Sequence, residues 1–596
     1  MNSLLAVVVL SAVCLLVAYR VYGRILARLL RLDPNVATPA VALRDDVDYA
    51  PIETKFLLSQ HFSAIAAAGP IVGPILAGVM FGWLPALIWI LIGSIFIGGV
   101  HDITSLVASI RHRARSIAEV VREHMTRRSH VLFLAFVWFA LVYIVVAFTD
   151  ITASSFIGAI ALESGQVVSG GGIATSSLLY LALPVIMGLL LRYTKLSLNL
   201  ATIIFLPLVG VAIWVGQYIP FDVASILSTD AATAQKAWGV ALLVYCFIAS
   251  ILPMWLLLQP RGHLGGYFLY AALIGGSLGL ALGGGRVQYP AFTGWETPRG
   301  DTLFPMLFIV IACGACSGFH SIVASGTTSK QLRRETDAKA IGYGAMLMEG
   351  MVAVISLACV MRLAPDSPLL GGGSPRPNFL YATGVGSFLE VLGIPAAFGV
   401  SFALMAFTTF VYDTLDVCTR LGRYVLEELL NWHSRAGRVV TTALTAGVPL
   451  FFLLRQSTDA SGKIVPVWRV FWDLFGASNQ LLAALTLLGV TVWLWRTRRA
   501  KWVWYVTGLP TVFMYVMSIW ALVRIIARHF GPSGLTSDPV PWVAVVLVAL
   551  ALMILWEAVK LFGAARPPPS AGGKRASRPQ VPQVVHPAAP TPSPSG

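Results

Sequence analysis

Stretches of about 20 residues with almost no charge recur along the chain from Ser3 to Phe562, and about 20 apolar residues is the length a helix needs to cross the hydrocarbon core of a bilayer. The pattern predicts fifteen spans, near 3–19, 57–79, 84–106, 131–148, 174–191, 196–216, 237–258, 264–284, 304–326, 341–362, 390–414, 439–455, 470–492, 503–523 and 541–562. Only 12% of the 596 residues are charged and 57% are hydrophobic. A mean hydropathy of +0.78 is far too apolar for a soluble protein with a wet surface. The expected fold class is all-α: a polytopic membrane protein of about fifteen helices, surrounded by lipid.

The net charge of +15 is not spread as a nucleic-acid footprint. Basic residues sit in short clusters between spans: Arg20 to Arg31, Arg111 to Arg128, Arg192 to Lys195, Arg261, Lys330 to Lys339, Arg420 to Arg438, and Arg496 to Lys501. Lys574, Arg575 and Arg578 follow in the tail. The alternate loops hold Asp150, Glu163, Asp222, Asp230, Glu296, Asp301 and Asp366 instead. The positive-inside rule then sets the N-terminus outside and the C-terminus in the cytoplasm. Arg524 and Arg528 are exceptions beside an outside loop. Ser3 to Ala18 lacks a basic leader and reads as a retained first span. Ser116 to His124 and Thr419 to Trp432 read as short amphipathic surface helices. The six cysteines lie nearly all within spans, and Cys313 with Cys316 reads as one turn of small packing residues.

Two spans are interrupted. Residues 61–74 read HFSAIAAAGPIVGP, and residues 312–328 read ACGACSGFHSIVASGTT. Broken helices survive at membrane depth only inside protein or beside a wet cavity. A matched pair of breaks in two halves of a chain points to a transporter binding site. The first break rises from inside and the second descends from outside. Spans two to six and nine to thirteen therefore make two five-helix groups of opposite orientation, a five-plus-five inverted repeat. The expected divisions are 1–56, a first span and basic loop; 57–216, the first repeat; 217–303, two inserted helices; 304–492, the second repeat; 493–562, two C-terminal helices; and 563–596, a disordered cytosolic tail.

Proline lacks an N–H, so Pro70 and Pro74 free carbonyls around Ala66 to Gly69. Freed carbonyls coordinate cations, and the half-helix that follows favours an anionic group at its N-terminus. Gly69, Pro70, Gly73, Gly314, Ser317, Gly318 and His320 are the candidate substrate-binding residues. Ionisable groups at membrane depth are functional candidates by default: His61, Asp102, Glu349 and Asp413, with His101 and Asp416 beside two of them. A His–carboxylate cluster serves as a proton relay or as a static network closing an inner gate. Thr408 and Thr409 could ligate a hard cation together with the first break, which requires them to lie next to it. The coupling ion is thus a proton or sodium. No spacing such as HxxxH supports a metal site, and neither a metal nor another cofactor is expected.

These residues resemble the carbon starvation protein A family. The matching stretches are HFSAIAAAGPIVGPILAG at 61–78, GGVHD at 98–102, ACGACSGFHSIVASGTTSKQL at 312–332, GYGAMLMEG at 342–350, FTTFVYDTLDVCTRLGRY at 407–424 and LFGASNQLLAAL at 474–485. The resemblance implies an inner-membrane secondary active transporter importing small peptides under carbon starvation, with proton-coupled symport of pyruvate as the alternative. It also implies kinship with amino-acid, polyamine and organocation carriers, which use a five-plus-five repeat. His101 stands where many members have glutamine, and Cys316 where an aliphatic residue is usual.

A nutrient-sensing receptor without transport is a further reading that the two breaks leave open. An enzyme is not expected, since no HExxH, serine-triad pattern or nucleotide loop occurs and the loops are short.

Overall fold

A computed structural model describes residues 3–45, 49–162, 165–283, 285–298, 300–373, 375–456, 465–530 and 539–563. The expected tail lies, apart from Gly563, outside the described residues. In chain order, α1 (Leu4–Leu30) precedes a bent pair, α2 (Thr54–Ile65) and α3 (Gly69–Phe81), which meet at 46°. Then come α4 (Trp83–Arg111), the short helix α5 (Ile117–His124), α6 (Arg127–Ser155), α7 (Gly170–Tyr193), α8 (Leu198–Tyr218), α9 (Ala231–Ile251) and α10 (Leu258–Gly283). A second interrupted element follows, α11 (Leu303–Val310) and α12 (Gly318–Gly326), parted by non-helical residues 311–317. The remaining helices are α13 (Glu335–Met361), α14 (Pro377–Glu390), α15 (Ala396–Leu430), α16 (Arg435–Leu454), α17 (Val467–Arg498), α18 (Trp504–His529) and α19 (Val540–Phe562). Among the described residues thirteen helices are each long and apolar enough to cross a membrane. Together with the two interrupted elements they occupy the places of the fifteen expected spans. Ala159–Ala161 and Val167–Ser169 add a small antiparallel hairpin.

Local chemistry sets the ends. The carboxylate of Asp230 accepts from the Ala232 N–H at 3.2 Å, and Ser434 Oγ from the Gly437 N–H at 3.0 Å. Each side chain satisfies a donor that a helix start leaves free. Asn431 and Arg499, with φ of 50° and 51°, turn the chain out of α15 and α17.

Three segments differ from the sequence reading. α14 was not expected. Thr419 to Trp432 is no separate surface helix: through Leu430 it continues α15, and Arg420 and Arg423 on it are buried. The expected loop around Arg261 is the first turn of α10, and Arg261 is fully buried there.

Burial sorts the helices into a centre and a rim. The most apolar stretch of α17 is 100% buried and that of α13 is 89% buried, against 33% for α1 and 28% for α8. Leu10, Ile203 and Trp556 face outward from rim helices, as a lipid-facing surface requires. The basic loops gather at one end of the bundle. There Arg111 Nη2 donates to Leu30 O at 2.7 Å, Arg498 Nη2 to the same oxygen at 3.3 Å, and Arg496 Nη1 to His124 O at 2.8 Å. At the other end Arg528 pairs with Asp301 at 2.5 Å, and Arg524 donates to Gly300 O at 3.1 Å. The two basic exceptions thus have local partners.

Candidate functional site

The two interrupted elements touch at their breaks. A Cβ added at Gly69 would overlap the side chain of Cys313, and one at Gly73 would lie 2.5 Å from Val310 O. A Cβ on Gly314 would lie 2.7 Å from Ala353 Cβ and 3.5 Å from Pro70 Cα. Gly318 lies against α17, where a Cβ would overlap the Ala483 nitrogen and Asn479 oxygen. Small residues let backbones approach this closely. Gly69, Pro70, Gly73, Gly314, Ser317 and Gly318 therefore share one crossing.

Broken helices leave polar backbone groups that must find partners. At the second break α17 and α4 supply them. Asn479 Oδ1 accepts from the Phe319 N–H at 2.9 Å, and its Nδ2 donates to Ser317 Oγ at 3.0 Å. Gln480 Nε2 donates to Phe308 O at 3.0 Å and Ala312 O at 3.4 Å. Trp89 Nε1 donates to Ile311 O at 3.1 Å. At the first break Pro70 and Pro74 leave the carbonyls of Ala66 and Pro70 without a helical donor. Asn479 and Gln480 were quoted only inside a motif. Two amides within an apolar span were the signal that could have found them.

α15 reaches the first break, but not through the expected hydroxyls. Thr414 Oγ1 donates to Ala64 O at 3.4 Å, and Ser63 Oγ donates to Asp413 Oδ2. Thr408 instead meets Ser177 Oγ at 3.2 Å and its own Met405 O at 2.9 Å. Thr409 Oγ1 is buried without a hydrogen-bond partner among the described residues. Among the described residues no hydrogen bond joins Thr408 or Thr409 to the first break.

A line of ionisable side chains runs beside the crossing. His101 Nδ1 lies 2.7 Å from Asp102 Oδ1, and Asp102 Oδ2 lies 2.8 Å from His320 Nδ1. His320 Nε2 is 3.2 Å from Glu349 Oε2, without the alignment of a hydrogen bond. All four side chains are at most 1% exposed. Asp102 and Glu349 each follow a π turn, Ser94–Gly98 in α4 and Lys339–Gly344 in α13. Such turns re-aim a helix face and are frequent at functional sites. His61 stands outside the line, with Nδ1 2.8 Å from Thr328 Oγ1.

Asp413 belongs to another cluster. Arg261 donates to Asp413 Oδ1 from Nη2 at 2.6 Å and from Nε at 3.1 Å. Its Nη1 pairs with Asp416 and donates to the Tyr245 hydroxyl at 2.5 Å. Tyr245 in turn donates to Asp416 Oδ2 at 2.8 Å. Arg261 was read as a loop charge and missed. Gly262, Gly265 and Gly266 beside it were the available signal, since they mark a face held against a neighbouring helix. A Cβ at Gly265 would lie 2.6 Å from Ser63 Oγ.

One opening touches this region and a second lies at the basic end. A narrow cleft lies between His61, Thr328, Asp413 and Gly262. A cavity of about 940 Å³ opens at the basic end between α5, α6, α12 and α15, lined by Glu119, His130, Ser325, Gly326, Lys330 and Glu428 among others. His130 Nε2 bonds Glu428 Oε1 at 2.8 Å there.

The family model described as carbon starvation protein CstA matches residues 3–369 and 372–521. A protein of Campylobacter jejuni named peptide transporter CstA is 32% identical over 579 residues, covering 86% of this chain and 79% of that one. An Escherichia coli K12 protein named pyruvate/proton symporter BtsT is 31% identical over 602 residues, covering 87% and 81%. A solved manganese transporter of Eremococcus coleocola aligns with a TM-score of 0.43 at 14% identity, covering 87% of this chain and 98% of that one.

Proposed function

The chain belongs to the carbon starvation protein CstA family, and from that premise we propose that it is a secondary active transporter importing small peptides across the bacterial inner membrane. The observation that carries this reading is the crossing of two interrupted helices, whose backbones meet at Gly69 and Gly314. Unwound backbone at membrane depth supplies carbonyls and half-helix N-termini to a solute, which is how many secondary carriers bind theirs. The basic end is the cytoplasmic one in this reading. The cavity between α5, α6, α12 and α15 then opens inward, and the substrate leaves past Ser325 and Gly326.

The coupling ion in this reading is a proton. Support comes from the line His101, Asp102, His320 and Glu349, in which imidazoles alternate with carboxylates along two hydrogen bonds and one close contact. Imidazole exchanges protons near neutral pH, which suits it to a relay. Sodium has weaker support, because Thr408 turns its oxygen to Ser177 and not to the freed carbonyls. Asp413 is matched by Arg261, so it acts in holding α10, α15 and α2 together.

Pyruvate is the second reading. One relative carries that substrate in its name, and the N-terminus of α3 at the crossing favours a carboxylate. Uptake of labelled dipeptide and labelled pyruvate into proteoliposomes separates the two. The first reading expects dipeptide to accumulate under an inward proton gradient and to be lost with a protonophore. Accumulation of pyruvate alone would overturn it in favour of the second, and movement of neither would remove transport of both solutes.

A further inference from the structure

A site with the chemistry of a metal centre lies at the basic end, away from the crossing. α4 ends at Arg111, and His112 follows as its cap, with Nδ1 2.6 Å from Ala108 O. A carbonyl accepts only from N–H, so this contact puts the ring hydrogen on Nδ1 and leaves a lone pair on Nε2. That Nε2 points at His124 Nε2, 2.8 Å away. His124 is the last residue of α5, and Glu123 precedes it. Ligand atoms of His112, Glu123 and His124 all lie within 4.8 Å of one another. The Trp493 ring packs edge-on against His112 with centroids 5.6 Å apart, and Arg496 holds the His124 carbonyl at 2.8 Å. The His112 ring is thus held from behind and the His124 backbone is anchored, with the two Nε2 atoms converging.

From this geometry we propose that His112, Glu123 and His124 form a binding site for a divalent transition metal of zinc(II) type. Two imidazoles and one carboxylate are a common three-residue zinc set, with water as the fourth ligand. Zinc takes imidazole nitrogen at about 2.0–2.1 Å, which puts two such nitrogens about 3.3 Å apart in a tetrahedral site. The rings need to part by only about half an ångström from their hydrogen-bonded spacing, a small side-chain rotation. A carbonyl behind a ligating imidazole, here Ala108 O, is the usual outer support of such a site. Magnesium and calcium prefer oxygen ligands and fit poorly. Glu119, His130 and Glu428 also converge nearby. There the cations Arg122, at 2.9 Å, and Arg115, at 3.7 Å, already face Glu119.

The ion would staple α5 to the end of α4. α4 carries His101 and Asp102, and α5 lines the large cavity through Ile117 and Glu119. A filled site therefore holds one wall of that cavity against the helix bearing the ionisable line.

The test uses the full-length, tag-free protein and cobalt(II), which reports tetrahedral nitrogen and oxygen ligation by its visible absorbance, with zinc as competitor. The proposal expects one cobalt per chain, displaced by zinc. It expects each of His112→Ala and His124→Ala to weaken binding by well over about tenfold, since even outer-shell partners of a metal act on the 10–100-fold scale. Zinc should also slow amide hydrogen exchange across residues 117–124 in the unaltered protein and in neither variant. Both variants alter the edge of the bundle, and an unchanged elution profile and melting temperature confirm their fold. Absence of cobalt absorbance in the unaltered protein, or binding by either folded variant as tight as that of the unaltered protein, would overturn the site.

Discussion

At the residue scale, the crossing is constrained by the contact of Gly69 with Cys313. A methyl group at 69 has no room unless the Cys313 side chain leaves. Gly69→Ala should therefore lower the melting temperature and abolish uptake, with an overpacking cost of about 1–3 kcal/mol. Cys313 lies in the non-helical residues 311–317, where glycine is tolerated. The double variant Gly69→Ala with Cys313→Gly should then recover most of both properties. Thermal melting in detergent and uptake measured together check this, and a double variant no better than Gly69→Ala alone would separate the two residues. The glycine–proline breaks were plain in the sequence, because the residues that interrupt a helix announce it locally. Which residue fills the space opposite Gly69 was not, because that contact joins two distant parts of the chain. Asn479 was hidden for the same reason: its role depends on the Phe319 N–H that it meets.

At the element scale, α10 was the least legible helix, and Arg261 is why. A charge usually marks a loop, since burying one unpaired is costly. Here Asp413, Asp416 and Tyr245 compensate it from α15 and α9. Removing one partner of a buried ion pair strands the other charge, at a cost of about 3–5 kcal/mol. Arg261→Met should cause a loss of that size, read as a lower melting temperature and poor membrane yield. Arg261→Met combined with Asp413→Asn and Asp416→Asn should regain much of it. A single variant as stable as the unaltered protein would mean the cluster does not hold these helices. The same limit explains Thr408 and Thr409. Their place on a helix was readable from the sequence, but their partners were not: Thr408 meets Ser177, and Thr414 is the hydroxyl that meets Ala64 O just before the break. Span number was legible because about 20 apolar residues are a local quantity. α14 was not, because it is only 14 residues long and carries no spanning signal.

At the scale of the whole molecule, two five-helix groups of opposite orientation remain the reading that best accommodates the paired breaks. One correspondence favours it: each group's second helix, α4 or α13, carries a π turn followed closely by a buried carboxylate, Asp102 or Glu349. These carboxylates meet through His320 on the second interrupted element. In the proposed reading, a proton on this line would be tied to the position of a helix at the crossing. That is the coupling a symporter needs, since an ion shifts a conformational equilibrium only by binding one state better than the other. The direct measurement compares Glu349→Gln with the unaltered protein in proteoliposomes, by two assays of the same labelled dipeptide. One is exchange across the membrane without a gradient, and the other is accumulation against a concentration difference under an inward proton gradient. The account predicts that Glu349→Gln keeps exchange and loses proton-driven accumulation. Full proton-driven accumulation by Glu349→Gln, or equal loss of both activities, would contradict it.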